Sequence, residues 1–340
     1  MTDFHPADQS IASLIEQFPP GADRRHAEQL LRAAVELVSS HPDTLDLKIA
    51  AAALQEMGEA FAMFAHAREH PKVTIFGSAR TTENDPLYAA AKEVARRLAA
   101  EGWMVITGAG PGIMQAGMEG AGREHSIGVS IRLPLEQGAN HVIAGDDKYV
   151  SMKYFFTRKL MLIKESKGFV CLPGGFGTLD ETFELLTLTQ TGKGLPVPIV
   201  FLDVPSDPYW ETVDSFVRQQ LVERGLVADA DRHLYKITDD CEVAVQEIIG
   251  FYRNYDSMRY VGEALIIRLR AAPTHEQLHA LNERFKYLCK TGDIHATEPF
   301  GPERKENDRL DLHRISFVYT KHGYGDLREL IDLCNTFVDR

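Results

Sequence analysis

The sequence is poor in cysteine and in long apolar runs, and it has no excess of basic charge. Its four cysteines, Cys171, Cys241, Cys289 and Cys334, form no Cys-x-x-Cys pair and lie far apart. A small disulfide scaffold is excluded, and reduced thiols in a cytoplasmic protein are the expectation. No stretch approaches about 18 apolar residues, so no membrane span is expected. The opening residues MTDFHPADQS lack the basic start and apolar run of a signal peptide. Lysine and arginine total 37 against 49 acids, a formal charge of −12. That balance excludes a general basic field for nucleic acid or anionic lipid, while leaving room for a local basic cleft. No Gly-Lys-Ser/Thr marks a Walker loop, and no Gly-x-Ser-x-Gly marks a hydrolase elbow.

What is present reads as a globular protein. Hydrophobic residues make up 44% and charged residues 25%, which excludes disordered and collagen-like chains. At about 150 residues per domain, 340 residues suggest about two domains. Residues 1–70 carry helical periodicity only, over 22–40 and 45–70, and form a helical N-terminal extension. Residues 71–255 alternate short apolar strands with helices. Strands are expected at 72–78, 103–110, 126–134, 168–175 and 196–204. Helices are expected at 86–100, 111–123, 150–165, 178–190 and 208–222, with Pro111 in a first turn. This alternation specifies an α/β fold with a doubly wound parallel sheet covered on both faces. Residues 256–340 read as an α/β appendage of order β-α-loop-β-α, with 291–311 as the loop.

Ligands of open parallel sheets bind beyond the carboxyl ends of the strands. Three glycine-rich segments fall there: Gly77-Ser78, Gly108-Ala109-Gly110-Pro111-Gly112, and Pro173-Gly174-Gly175-Phe176-Gly177-Thr178. The last runs from a strand straight into a helix, so its backbone N–H groups and the helix dipole suit a phosphate. A plain tight turn is the alternative, because Thr178 and Glu181 have capping-box spacing. Asp180, Glu181 and Glu184 crowd the same turn, where they repel a bare phosphate. A site that holds phosphate on the loop and acts on an adjacent sugar has a use for them. The preceding helix carries Lys153, Arg158, Lys159 and Lys164, a basic wall in an acidic protein. The second glycine loop fails the dinucleotide fingerprint, since its third glycine would fall at Ile113 and no ribose-binding acid ends the next strand. His275-Glu276-Gln277-Leu278-His279 matches the zinc-protease pattern His-Glu-x-x-His. Thr274 and Gln277 place His275 instead in the first turn of a capped helix.

These residues resemble the LONELY GUY (LOG) family, often labelled lysine decarboxylases. PGGFGTLDE (173–181) matches its PGGxGTxxE signature. Arg158-Lys159 matches its Arg-Lys pair, Gly108 to Met114 its glycine loop, and Gly77-Ser78 its first strand end. The resemblance covers roughly 71–255. It implies a Rossmann-like nucleotide fold, a homodimer or higher homo-oligomer, and phosphoribohydrolase activity on a nucleoside 5′-monophosphate. It also implies that Arg158 and Glu181 are the catalytic pair. Where plant-like members carry Met-His-Glu before the Arg-Lys pair, this chain has Phe155-Phe156-Thr157.

The resulting expectation is an N-glycosidase that releases free base and ribose 5-phosphate, in the manner of an AMP nucleosidase. Arg158 and Glu181 would be catalytic. Gly77, Ser78, Gly108, Gly110, Gly174, Gly175, Gly177, Thr178, Lys159 and Asp180 would bind substrate or phosphate. The chemistry requires no metal and no redox cofactor, and the partner is a small nucleotide rather than nucleic acid or membrane. A non-catalytic nucleotide- or cofactor-binding or sensing protein of the same fold is the alternative. Amino-acid decarboxylation would need a pyridoxal lysine and its supporting groups, for which no pattern is present.

Overall fold

A computed structural model describes residues 6–19, 23–133, 138–205 and 207–338. Ala22 and Pro134, at the ends of an expected helix and an expected strand, lie outside them, as do both extreme termini. The chain divides into two compact units, residues 1–59 and 60–340. Among its described residues the first holds α1 (Pro6–Glu16), α2 (Arg24–Ser39) and most of α3 (Thr44–Ala65), and no strand; α2 and α3 fall where helical periodicity is expected. Asp23 caps α2 by accepting the His26 N–H at 3.2 Å.

The second unit begins with a seven-stranded parallel sheet. Its elements are β1 (Lys72–Phe76), α4 (Pro86–Ala100), β2 (Met104–Thr107), α5 (Ile113–Ala121), β3 (Ser126–Ile131) and β4 (Tyr149–Met152). They continue through α6 (Phe155–Lys164), β5 (Gly168–Cys171), α7 (Phe176–Gln190), β6 (Ile199–Leu202), α8 (Tyr209–Phe216), β7 (Lys236–Thr238) and α9 (Cys241–Gly250). Strand order is β4-β3-β2-β1-β5-β6-β7. The chain winds one way from β1 to β4, then returns to place β5 on the other side of β1. This is the doubly wound, Rossmann-like arrangement, with its switch point between β1 and β5.

Side-chain alternation along the strands explains the two helical layers. Val73 and Ile75 of β1 join a core with Val94 and Leu98 of α4, Ile113 of α5 and Ile248 of α9. Thr74 points the opposite way and donates to the Leu162 carbonyl of α6 at 3.2 Å.

Several boundaries differ from the sequence expectation. Val150–Met152 is strand, not helix. These residues pair in parallel with Val129–Ile131, and α6 starts only at Phe155. An edge strand of four residues is too short to show a period of two. Lys153 therefore precedes α6 and lies over the Tyr154 ring. Pro111 stands ahead of α5 rather than in its first turn, because Gly112, with φ of 66°, is the N-cap. The short edge strand β7 and helix α9 were not anticipated.

The C-terminal part is a four-stranded antiparallel sheet of order β10-β11-β9-β8. It is built from β8 (Tyr255–Val261), β9 (Ala264–Leu269), α10 (His275–Phe285), β10 (Cys289–Ala296), α11 (Gly301–Glu306), β11 (His313–Tyr319) and α12 (Tyr324–Asn335). The expected loop at 291–311 thus contains most of β10 and all of α11. Both unanticipated strands of this sheet lie at its edges. Only Ile294 of β10 is buried, and β8 has a register shift between Tyr255 and Ser257. Neither presents the apolar alternation that a half-buried strand shows. The sheet is fastened to the first one through α12. Asn335 accepts the Asn254 and Tyr255 N–H groups at 2.9 and 2.8 Å, and Arg328 donates to the Val197 carbonyl at 3.2 Å. Among the described residues, no helix is long and apolar enough to cross a membrane.

Candidate active site

The three glycine loops meet at the switch point. Gly77 and Ser78 follow β1, and Pro173 and Gly174 follow β5. The Ser78 N–H donates to the Pro173 carbonyl at 3.3 Å, and the Ser78 carbonyl accepts the Ile113 N–H at 3.0 Å. Gly108 to Gly112 follow β2. The glycines serve two different purposes. A Cβ on Gly108 would come within 2.5 Å of the Arg158 guanidinium, and one on Gly174 would collide with the Thr178 side chain. Those two positions are packed. Around Gly175 and Gly177 a Cβ would meet nothing within 4 Å, so the backbone there is open to a ligand.

The structure corrects the capping expectation. Helix α7 starts at Phe176 with Gly175 as N-cap, and no side chain caps it. Thr178 is therefore the third helical residue, and Glu181 is not its capping partner. Early helix N–H groups without a side-chain cap, beside open glycines, suit an anion. Phe176, on the first turn, is 93% exposed.

Glu181 turns inward from α7 and is only 5% exposed. Its Oε1 accepts from Arg158 Nη1 at 3.2 Å. Its Oε2 is buried and accepts no hydrogen bond from the protein. Burial pushes the Glu181 carboxyl above the usual carboxylate range, while Arg158 and Lys159 pull it back down. Arg158 is anchored independently of Glu181, since its Nε donates to the Val129 carbonyl of β3 at 3.0 Å. Lys159 faces the remaining acids, with Nζ at 2.9 Å from Asp180 and 2.5 Å from Glu184. Lys164, the fourth base of the expected wall, pairs with Glu165 at 2.5 Å. Two of the four bases, Arg158 and Lys159, thus reach the acids of α7. Cys171 lies beneath them, and burial pushes its thiol up to about 12, which leaves it a poor nucleophile.

Sequence reasoning missed the residues that brace the loops. The Asn140 amide donates to the Gly110 carbonyl at 3.0 Å, and the Asn140 N–H donates to the Ala109 carbonyl at 2.8 Å. They hold Ala109 at φ of 58°, a conformation costly for a residue with a Cβ. The Tyr209 hydroxyl donates to the Gly174 carbonyl at 2.8 Å. Beside it, Asp203 accepts the Trp210 N–H at 3.0 Å. No local spacing signals these contacts, which join residues 30 or more positions apart or follow a strand end.

Burial pushes Asp203 up to about 6. A carboxyl whose pKa is raised on folding favours the native state below its unfolded value, near 3.8, and loses that advantage as pH rises through 6. Asp203→Asn retains an acceptor for the Trp210 N–H. It is expected to match the parent's melting temperature near pH 4 and to exceed it increasingly up to pH 7. Thermal unfolding across that pH range checks this, and a constant difference would contradict it.

The His-Glu-x-x-His segment forms a capped helix start. The Gln277 N–H donates to Thr274 Oγ1 at 3.2 Å, and the Thr274 N–H donates to Gln277 Oε1 at 2.8 Å. His279 pairs at 3.5 Å with Glu283, one turn on, and is largely exposed.

Comparison with known proteins locates this arrangement in a family. The family model described as "Possible lysine decarboxylase" matches residues 112–248. A probable cytokinin riboside 5′-monophosphate phosphoribohydrolase, LOG6 of Arabidopsis thaliana, is 32% identical over 123 residues, which is 36% of this chain and 58% of that protein. The similarly named LOGL3 of Oryza sativa subsp. japonica is 30% identical over 159 residues, covering 46% of this chain and 70% of that protein. The pyrimidine/purine nucleotide 5′-monophosphate nucleosidase of Escherichia coli (strain K12) is 28% identical over 74% of this chain and 63% of its own length. The match to the first of these spans less than two thirds of that relative. Among solved structures, a molybdenum cofactor carrier protein from Chlamydomonas reinhardtii aligns over 52% of this chain and 94% of its own, at 20% identity and a TM-score of 0.36. By its match to the rice protein, its signature residues and its family model, the chain belongs to the LOG-type family of possible lysine decarboxylases.

Proposed function

We propose that this protein hydrolyses the N-glycosidic bond of a nucleoside 5′-monophosphate, giving free base and ribose 5-phosphate. The observation that carries the reading is the buried Glu181 carboxylate, whose second oxygen is unpartnered beside an uncapped, glycine-lined helix start. In this reading the 5′-phosphate sits on the N–H groups around Gly175 and Gly177. Gly77, Ser78, Gly108, Gly110, Gly174 and Thr178 shape the loops around it. The ribose then lies against the first turn of α7.

Cleavage moves the bonding electrons from C1′ to the leaving base and builds positive charge on the sugar. A carboxylate fixed there stabilises that charge more than it stabilises the ground state. Oε2 of Glu181 is free to face the anomeric carbon or to accept a proton from the attacking water. Oxygen from water ends on C1′ and a proton ends on the base. Arg158 holds Oε1 and sets the direction of Oε2. Lys159 offsets part of the charge of Asp180 and Glu184, so the phosphate meets less negative charge. The names of the relatives, which describe phosphoribohydrolases and a nucleosidase, support the same reading.

The proposal places this chemistry in residues 71–255, with 1–70 and 256–340 as added segments, in a cytoplasmic homo-oligomer. The test is incubation with AMP, GMP, CMP, UMP and a prenylated AMP, reading free base and ribose 5-phosphate. Stoichiometric release of both products from at least one nucleotide is expected. Nucleotide binding without release from any of them would favour a carrier or sensor.

A further inference from the structure

We propose that His233, Asp326 and Glu329 form a zinc site that clamps the C-terminal sheet to the parallel one. His233 lies on the short turn of helix at Asp229–Leu234, and Asp326 and Glu329 stand three residues apart near the start of α12. One ligand atom from each residue lies within 4.8 Å of the other two. The cluster thus draws on two segments more than ninety positions apart, one following the parallel sheet's β6 and the other closing the chain.

The spacing admits a shared ion. His233 Nδ1 is 3.5 Å from Glu329 Oε2. That exceeds the usual span of about 2.7–3.2 Å for an N–H···O bond. Two ligands on one tetrahedral zinc, at bonds of about 2.0–2.1 Å, stand roughly 3.3 Å apart. One carboxylate is also held from behind. Glu329 Oε1 accepts from Arg284 at 2.8 Å, which leaves Oε2 turned to His233. Outer contacts of this kind orient metal ligands. Two carboxylates against one guanidinium leave a net negative group for a dication. The mixed nitrogen and oxygen set suits zinc better than magnesium.

The setting indicates a clamp. The start of α12 is pressed against the parallel-sheet unit: a Cβ on Gly325 would overlap the Ala230 carbonyl, and one on Gly192 would strike the Tyr324 ring. Gln190, the last residue of α7, donates to Asp231 at 2.7 Å. The cluster thus stands near the C-terminal end of α7, and the open glycines stand at its N-terminal end. Fifteen residues of helix separate the two by about 20 Å. A bound ion would fix the seam between the sheets without touching the nucleotide.

Zinc binding to the full chain can be measured by competition with a chromophoric chelator. A His275→Ala/His279→Ala background removes the exposed pair on α10. One zinc per chain is expected, with affinity roughly tenfold or more weaker in His233→Ala and in Glu329→Gln. A zinc-dependent rise in melting temperature should disappear in both variants, and magnesium should produce neither effect. The metal-free melting temperature of each variant reports whether it is folded, and Asp326→Asn serves where one is not. Absence of zinc uptake by the parent, equal affinity without His233, or magnesium binding as tightly as zinc would overturn the proposal.

Discussion

Glu181→Gln is expected to lower turnover of the preferred nucleotide by about 10^2- to 10^4-fold, the range for loss of a positioned catalytic group. Nucleotide affinity should change little, because the proposed phosphate contacts come from backbone groups at Gly175 and Gly177 rather than from this side chain. Glutamine keeps an oxygen for Arg158, so the fold should survive. The pH profile sharpens the expectation. In the proposed mechanism the reactive form is the carboxylate, and burial raises its pKa above the ordinary value of 4.5. Activity should therefore fall as pH drops through a midpoint above the usual carboxylate range. A residual Glu181→Gln rate that lacks this acid limb would identify Glu181 as the titrating group. A limb that persisted unchanged would place the titration elsewhere.

Arg158→Ala is expected to be costly in two ways. It removes the group that directs Glu181, so turnover should fall by about 10^2-fold or more. It also leaves a buried carboxylate without its hydrogen-bonded counter-charge, with Lys159 alone nearby, and breaking such a pair costs about 3–5 kcal/mol. The side chains of Arg158 and Glu181 are 12% and 7% exposed, so the pair is screened little by water. If this cost comes from the orphaned charge, adding Glu181→Gln to Arg158→Ala should recover part of the lost stability. Denaturant unfolding of the two single variants and the double variant measures that coupling. Simple additivity would show that Arg158 stabilises through its packing and its bond to Val129 instead.

The parts of the site that were legible in the sequence were those written in local order. A strand running into PGGFGT announced a helix start, and Arg158 and Glu181 were named from the family's spacing. The sheet class followed from apolar strands buried on both faces. What was hidden depended on tertiary partners. The capping spacing of Thr178 and Glu181 was real, yet Gly175 started the helix earlier and Glu181 turned toward α6. Lys153 counted with Arg158, Lys159 and Lys164 as one helix's basic wall until pairing with β3 made Val150–Met152 a strand. The edge strands β7, β8 and β10 carried too few buried apolar residues to declare themselves. Tyr209, Asn140 and Asp203 brace the loops through long-range contacts or backbone acceptors, which no motif records.

The most direct test of the central claim is a single-turnover experiment with excess enzyme and one tightly binding nucleoside monophosphate, run in parallel with Glu181→Gln. The account predicts one equivalent each of free base and ribose 5-phosphate from the parent, and intact nucleotide retained by the variant. Intact nucleotide recovered from both proteins, or full product from both, would contradict it.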